Sequence, residues 1–212
     1  MPDAGGVLPT DPALPDDRPV VLVPDAAAWR AWLLANHATS DGVWLVLHKK
    51  GGTVTALTYE PAVEEALCFG WIDGQRCRRD AGSSYQRMTP RRARSVWSQV
   101  NVGRIARLEA EGRMHDAGRA QVEAAKADGR WDAAYASSST AVVPADLAAA
   151  IAADPTAAAW FAVLTSGNRF ALIYRVEGAK RPETRARRIA DAVAQLARGE
   201  TPYPQRRRPD GA

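Results

Sequence analysis

Thiols and imidazoles are scarce in this chain of 212 residues: it holds two cysteines and three histidines. Cys68 and Cys77 are nine positions apart, too far for a Cys-x-x-Cys motif, and the pair is too few for a disulfide scaffold. His37, His48 and His115 are scattered without ligand spacing, so the sequence predicts neither a zinc site nor any other cofactor. No apolar run reaches transmembrane length, and no basic n-region precedes an apolar h-region. These absences point to a reduced cytoplasm without membrane insertion. Gly51-Gly52 lacks the surroundings of a P-loop and no GxGxxG opens a helix, so nucleotide folds have no support. No internal repeat is visible.

What is abundant is tryptophan, with seven residues, and arginine in blocks. Residues 1–75 hold ten acidic against four basic residues, whereas 76–113 hold ten Lys and Arg against three acids, and 180–212 hold nine against four. The basic blocks suit an anionic partner if they share a face, or are solvated helix surface. The stretch Ala66–Asn101 concentrates both features. It contains two Trp, both cysteines, seven Arg and a Gly-Trp-Ile-Asp-Gly turn, which amphipathic patterning does not explain.

Periodicity predicts an α+β fold with a small antiparallel sheet and helices in the N-terminal half, packed on a helical C-terminal half. Four segments are expected: a disordered leader at 1–19, a sheet-bearing half at 20–112, a helical half at 113–199 and a flexible basic tail at 200–212. Val20–Val23 reads as a strand, followed by a helix capped by Asp25 and ending at Asn36-His37. Val43–His48 reads as a central strand, turned by Gly51-Gly52 into a hairpin partner at Thr53–Leu57. Thr58 is placed to cap a helix that Gly70 ends, and Trp71–Arg79 and Tyr85–Thr89 read as an antiparallel pair. Helices follow from Arg94 or Ser95 to Glu111 and from Asp116 to Asp128. Beyond them come Pro144–Ala153, Pro155–Thr165 and Pro182–Arg198, with Asn168–Val176 readable as helix or strand.

Two constellations carry chemistry. Asp73, beside Trp71, is either a carboxylate held in a partly dry cleft or an Asx-turn before Gly74. In Pro90–Asn101, the three arginines ahead of a helix start make a receptor for a carboxylate or phosphate, with Ser95 as cap. Ser98 and Asn101 share a helical face three residues apart. The competing reading pairs these arginines with the acidic half and leaves Trp97 in the core. His37 sits at a helix C-terminus, where imidazole satisfies free carbonyls. Cys68 in a last helical turn has the wrong end of the dipole for an activated nucleophile.

Several runs in order resemble the YdeI/OmpD-associated family, the bacteriocin-protection proteins. They are WRAWL and NHAT from Trp29 to Thr39, VWL at Val43–Leu45 with Lys49-Lys50, ALCFGWIDGQ at Ala66–Gln75 and PRRARSVWSQVN at Pro90–Asn101. GRM at Gly112–Met114, AKADGRWDAAY at Ala125–Tyr135 and AKRPETRARRI at Ala179–Ile189 continue the series. The resemblance spans about Trp29 to Leu196. It implies a bacterial stress or protective role without a reaction or catalytic residues, and it adds Lys180 and Arg185 to the site.

The reading that results is a cytoplasmic protein binding a small molecule or antimicrobial peptide in a cleft between its halves. Trp71 and Trp97 are expected as walls, Asp73 as the grip on a donor or cation, and Arg91, Arg94 and Ser95 as the hold on an anionic group. A rival is a hydrolase or transferase acting on such a compound, with Asp73 or His37 as general base. A third is a nucleic-acid or stress-response interaction module, against which stands the want of any nucleic-acid-binding signature. The oligomeric state stays open.

Overall fold

The computed structural model describes residues 6–8, 11 and 14–209. The chain divides into two compact units, Met1–Ala134 and Tyr135–Ala212. The first unit therefore reaches past residue 112.

The first unit is built on a five-stranded sheet ordered β1-β2-β3-β5-β4. The strands are β1 (Gly6–Leu8), β2 (Val20–Leu22), β3 (Val43–His48), β4 (Trp71–Arg78) and β5 (Ser83–Pro90). The α+β class holds, but the sheet is mixed. β2 runs parallel to β3 because α1 (Ala26–Asn36) carries the chain across between them, and the other pairs are antiparallel. β3 is central, as its apolar run demands. Its two edges are taken by β2 and β5, so the hairpin expected at Thr53–Leu57 has no edge to join. That segment instead anchors through Thr55, whose hydroxyl donates to the Val23 carbonyl at 2.6 Å, and through the Leu57 carbonyl, which accepts from the His48 amide at 2.8 Å.

Asp25 caps α1 by accepting from the Ala28 amide, and Trp29, Trp32 and Leu33 face inward. Thr58 precedes α2 (Tyr59–Cys68) in extended conformation but makes no side-chain cap bond. Gly70 ends the helix with φ +74°, where a side chain would also strike the Ala117 carbonyl. α3 (Gln99–Ala110) starts later than expected. Ser95 spends its hydroxyl on the Arg92 amide, closing a local turn, and Ser98 caps the helix by accepting from the Asn101 amide. α4 (Asp116–Ala127) follows, and the His115 amide ahead of it donates to the Cys68 carbonyl.

The leader is not featureless over its described residues. β1 pairs with β2, and Leu8 and Leu14 pack against Val20, Trp44, Val46 and Tyr85 on the sheet face opposite the main core. Proline, glycine and aspartate carry no period of their own; the sheet supplies the order. The main core joins Trp29, Leu33, Val43, Leu45, Leu67 and Met88 on the other face.

The second unit contains α5 (Ala145–Ala152), α6 (Pro155–Ala162), α7 (Ser166–Glu177) and α8 (Pro182–Ala197). Asn168–Val176 thus resolves as helix, capped by Thr165. Leu147, Trp160, Leu172, Ile173 and Leu196 form its core. The tail is tied down rather than free as far as Gln205. Buried Asn168 accepts from the Tyr203 amide at 2.7 Å and donates to Gln205 at 2.8 Å.

Candidate functional site

Trp71 is 1% exposed and forms part of the core. Its ring stands edge-on to Trp29 at 6.4 Å and to Trp32 at 5.8 Å, and those two stack at 5.1 Å. Its indole N–H donates to the His37 carbonyl at 3.2 Å, so the polar handle of a buried Trp is satisfied. Asp73, two residues on, points to the same sheet face and is half-buried. Its carboxylate accepts from the Tyr59 hydroxyl at 2.8 Å. Burial, with the Asp73 charge beside it, pushes the Tyr59 phenol up. Arg104 reaches the first turn of α2 from α3, pairing with Glu60 and donating to Asn101 at 2.9 Å. Asp73, Ser98 and Asn101 are therefore each engaged within the unit.

His37 meets the Leu33 carbonyl through Nδ1 at 2.9 Å. A carbonyl only accepts, so Nδ1 bears a proton and donates in this bond. The ring packs 5.2 Å from Phe69 and 4.9 Å from His115, which caps α4 by accepting at Nδ1 from the Ala117 amide. Cys68 is fully buried, and burial with the neighbouring Glu65 pushes its thiol up, away from nucleophilic use. Among the described residues no group of three His, Cys, Asp or Glu gathers to hold a metal.

The arginine run divides. Arg91 is 6% exposed, stacks 3.6 Å over the Trp97 ring and donates to the Val96 carbonyl at 3.1 Å. Arg92 and Arg94 are exposed. Trp97, 2% exposed, meets Trp131 at 5.0 Å, and Lys126 stands 5.8 Å over Trp131. A cation–ring–ring–cation ladder results, in which each charge sits against an aromatic quadrupole. Arg130 secures it by donating to the Ser95 carbonyl at 2.9 Å while gripping Asp128 at 2.8 Å. The runs PRRARSVW and GRWDAAY, distant in sequence, thus meet at Trp97 and Trp131. Lys180 and Arg185 lie in the second unit. Lys180 is exposed, and Arg185 forks onto Asp146 at 2.6 and 2.8 Å, joining α8 to α5.

Sequence reasoning missed a concave feature of the first unit. Between α3 and α4 lies a groove of about 620 Å³ floored by Ile105, Met114, Val122 and Trp131. Its rim holds two internal ion pairs, Glu109 with Arg119 at 2.9 Å and Glu123 with Lys126 at 2.8 Å. Its volume suits a drug-sized ligand. With the rim charges paired, burial of apolar surface is what it offers a visitor. The available signal was Trp131, set on a Gly-Arg-Trp break after an amphipathic helix.

Residues 21–121 match the model of a domain of unknown function (DUF8412). Residues 140–199 match the family model described as bacteriocin-protection, YdeI or OmpD-associated. This match, which lies within the second unit, is consistent with the family that the sequence resembles, and it suggests a role related to bacteriocin protection. Of the runs that carried the resemblance, AKRPETRARRI falls inside that match, whereas ALCFGWIDGQ and PRRARSVWSQVN fall inside the other. No curated protein and no solved structure matches the chain. Among the described residues no helix is long and apolar enough to cross a membrane.

Proposed function

We propose that the protein binds an amphipathic antimicrobial compound, a small molecule or short peptide, and protects the cell by sequestering it in the cytoplasm. The observation that carries this reading is the α3–α4 groove, open to solvent and floored by the half-buried Trp131. An apolar group of the ligand lies on the Trp131 ring between Ile105 and Val122. The paired rim charges reorganise to meet its polar end. Arg94, exposed three residues before Trp97, holds an anionic group, with Ser95 beside it. The family match supports the protective role, and the free thiols of Cys68 and Cys77 support a reducing compartment.

The test is titration of the purified protein with a panel of peptide and small-molecule antibiotics by calorimetry and native mass spectrometry. A stoichiometric complex is expected with at least one amphipathic member. Ala106→Trp, placed on an exposed position of the groove wall, should lower its affinity tenfold or more with Tm unchanged. Equal affinity in the two proteins would remove the groove from the proposal. A ligand recovered with altered mass would move the reading to an enzyme.

A further inference from the structure

The sheet face opposite the main core carries more hydrogen-bond donors than the described residues supply acceptors for. Trp44 and Arg87 are cross-strand partners there, as are Val46 and Tyr85, with Cys77 beside Tyr85 on β4. Two acids of the leader meet the polar ends of this surface. The Tyr85 hydroxyl donates to Asp11 at 2.9 Å, and the Trp44 indole N–H donates to Asp16 at 2.8 Å. Asp16 also pairs with Arg18 and stands 3.7 Å from Arg87. Leu8 and Leu14 cover the apolar ground between, and β1 extends the sheet along β2. Arg79 lies 5.9 Å over the Tyr85 ring.

One carboxylate, that of Asp16, therefore serves an indole and two guanidiniums. Arg18 belongs to the leader itself, but Arg87 stands on β5, and its Nε is buried with no acceptor among the described residues. A buried charged donor left unsatisfied is costly, so this surface rewards a better-matched acid. The leader, with four Asp against one Arg, is an imperfect occupant of a basic, aromatic face.

We propose that this face is a receptor for an extended acidic peptide, and that the leader occupies it in cis, so that an acidic segment of another protein binds by displacing it. The recognised segment pairs its backbone along β2 and carries two carboxylates about five residues apart, with an apolar residue between, as Asp11, Leu14 and Asp16 do. A peptide is favoured over a polynucleotide because the present occupant holds on by strand pairing and by leucine packing, neither of which a phosphate backbone offers. The leader suppresses binding in trans because its tether gives it a high effective concentration.

The experiment uses the full chain and a fluorescein-labelled peptide of sequence VLPTDPALPDDRP, residues 7–19, followed by anisotropy. Full-length Asp11→Ala/Asp16→Ala protein, whose own leader is released, should bind the peptide at least tenfold more tightly than the unaltered protein. Arg87→Ala added to that variant, or alanine at the peptide's Asp11 and Asp16, should abolish the gain. If the alanine pair does not fold, Asp11→Asn/Asp16→Asn removes the two charges with little change of side-chain volume and gives the same comparison. Equal affinity for unaltered and released proteins, or no binding to a folded released variant, would overturn the proposal. So would a released face that takes a single-stranded oligonucleotide and not the peptide.

Discussion

Two tryptophan clusters in the first unit use the same residue type for different ends. Trp29, Trp32 and Trp71 interlock around the end of α2 at 7% exposure or less, and the indoles of Trp29 and Trp71 donate to backbone carbonyls. Trp97 and Trp131 form a ladder whose inner indole N–H has no acceptor among the described residues and whose outer ring floors an open groove. Aromatic density alone therefore does not mark a binding surface. A satisfied polar handle and full burial mark a core; a half-exposed ring beside a concavity marks a place where a ligand gains by landing.

The comparison breaks most clearly at Trp71. Trp71→Ala removes a fully buried ring from the first cluster and should cost about 3–5 kcal/mol in urea unfolding. A cost below about 1 kcal/mol would show that the cluster is not the core of the unit. Trp131→Ala should cost less, roughly 1–2 kcal/mol, because the ring is only half-buried, while ligand binding in the groove is lost. Trp97→Phe should be milder still, under about 1.5 kcal/mol, since the lost N–H has no partner to strand. An effect as large as that of Trp71→Ala would erase the distinction between the clusters.

Smaller effects sharpen the placement of the arginine run beside the ladder. Ser98→Ala should destabilise by about 1 kcal/mol as a lost N-cap, and Ser95→Ala by roughly 0.5 kcal/mol or less, as read from thermal melts. The reverse order would restore the helix start at Ser95. The smallest effect belongs to the second unit. The Arg185 guanidinium beside Asp146 holds that carboxyl below the usual carboxylate range. Its contribution is complete above the unfolded-state pKa near 3.9 and fades as pH falls through the lower folded value. NMR titration of the Asp146 carboxyl should show a midpoint below that of a free aspartate, and Arg185→Gln should raise it.

Much of this was legible in the residues. Val43–His48 had to be a buried strand, Asp25 a cap and Gly70 a left-handed helix end, because periodicity, cap chemistry and glycine's φ freedom are local. The α+β class and three of the four helices from Pro144 to Arg198 follow the same logic, whereas Asn168–Val176 reads equally as helix or strand. The start of α3 was misread because Ser95 and Ser98 are equally good caps, and only the Arg92 turn decides between them. At the candidate site, Trp97 was singled out with its arginine neighbours, whereas Trp131 entered only within the run AKADGRWDAAY. Which of Arg91, Arg92 and Arg94 lies against a ring and which faces water is not a property of their spacing.

By itself the sequence determined most of the strands and helices, β1 and the segment Thr53–Leu57 excepted, and the class of fold, which rest on interactions between near neighbours in the chain. Tertiary structure alone decided that β2 and β3 run parallel, that the leader covers a sheet face, and that Asp73 is held by Tyr59. It also decided that α3 and α4 leave a groove over Trp131. Each of these depends on which surfaces meet across tens of residues. Meeting is settled by competition for strand edges, apolar faces and hydrogen-bond partners, which no local pattern encodes.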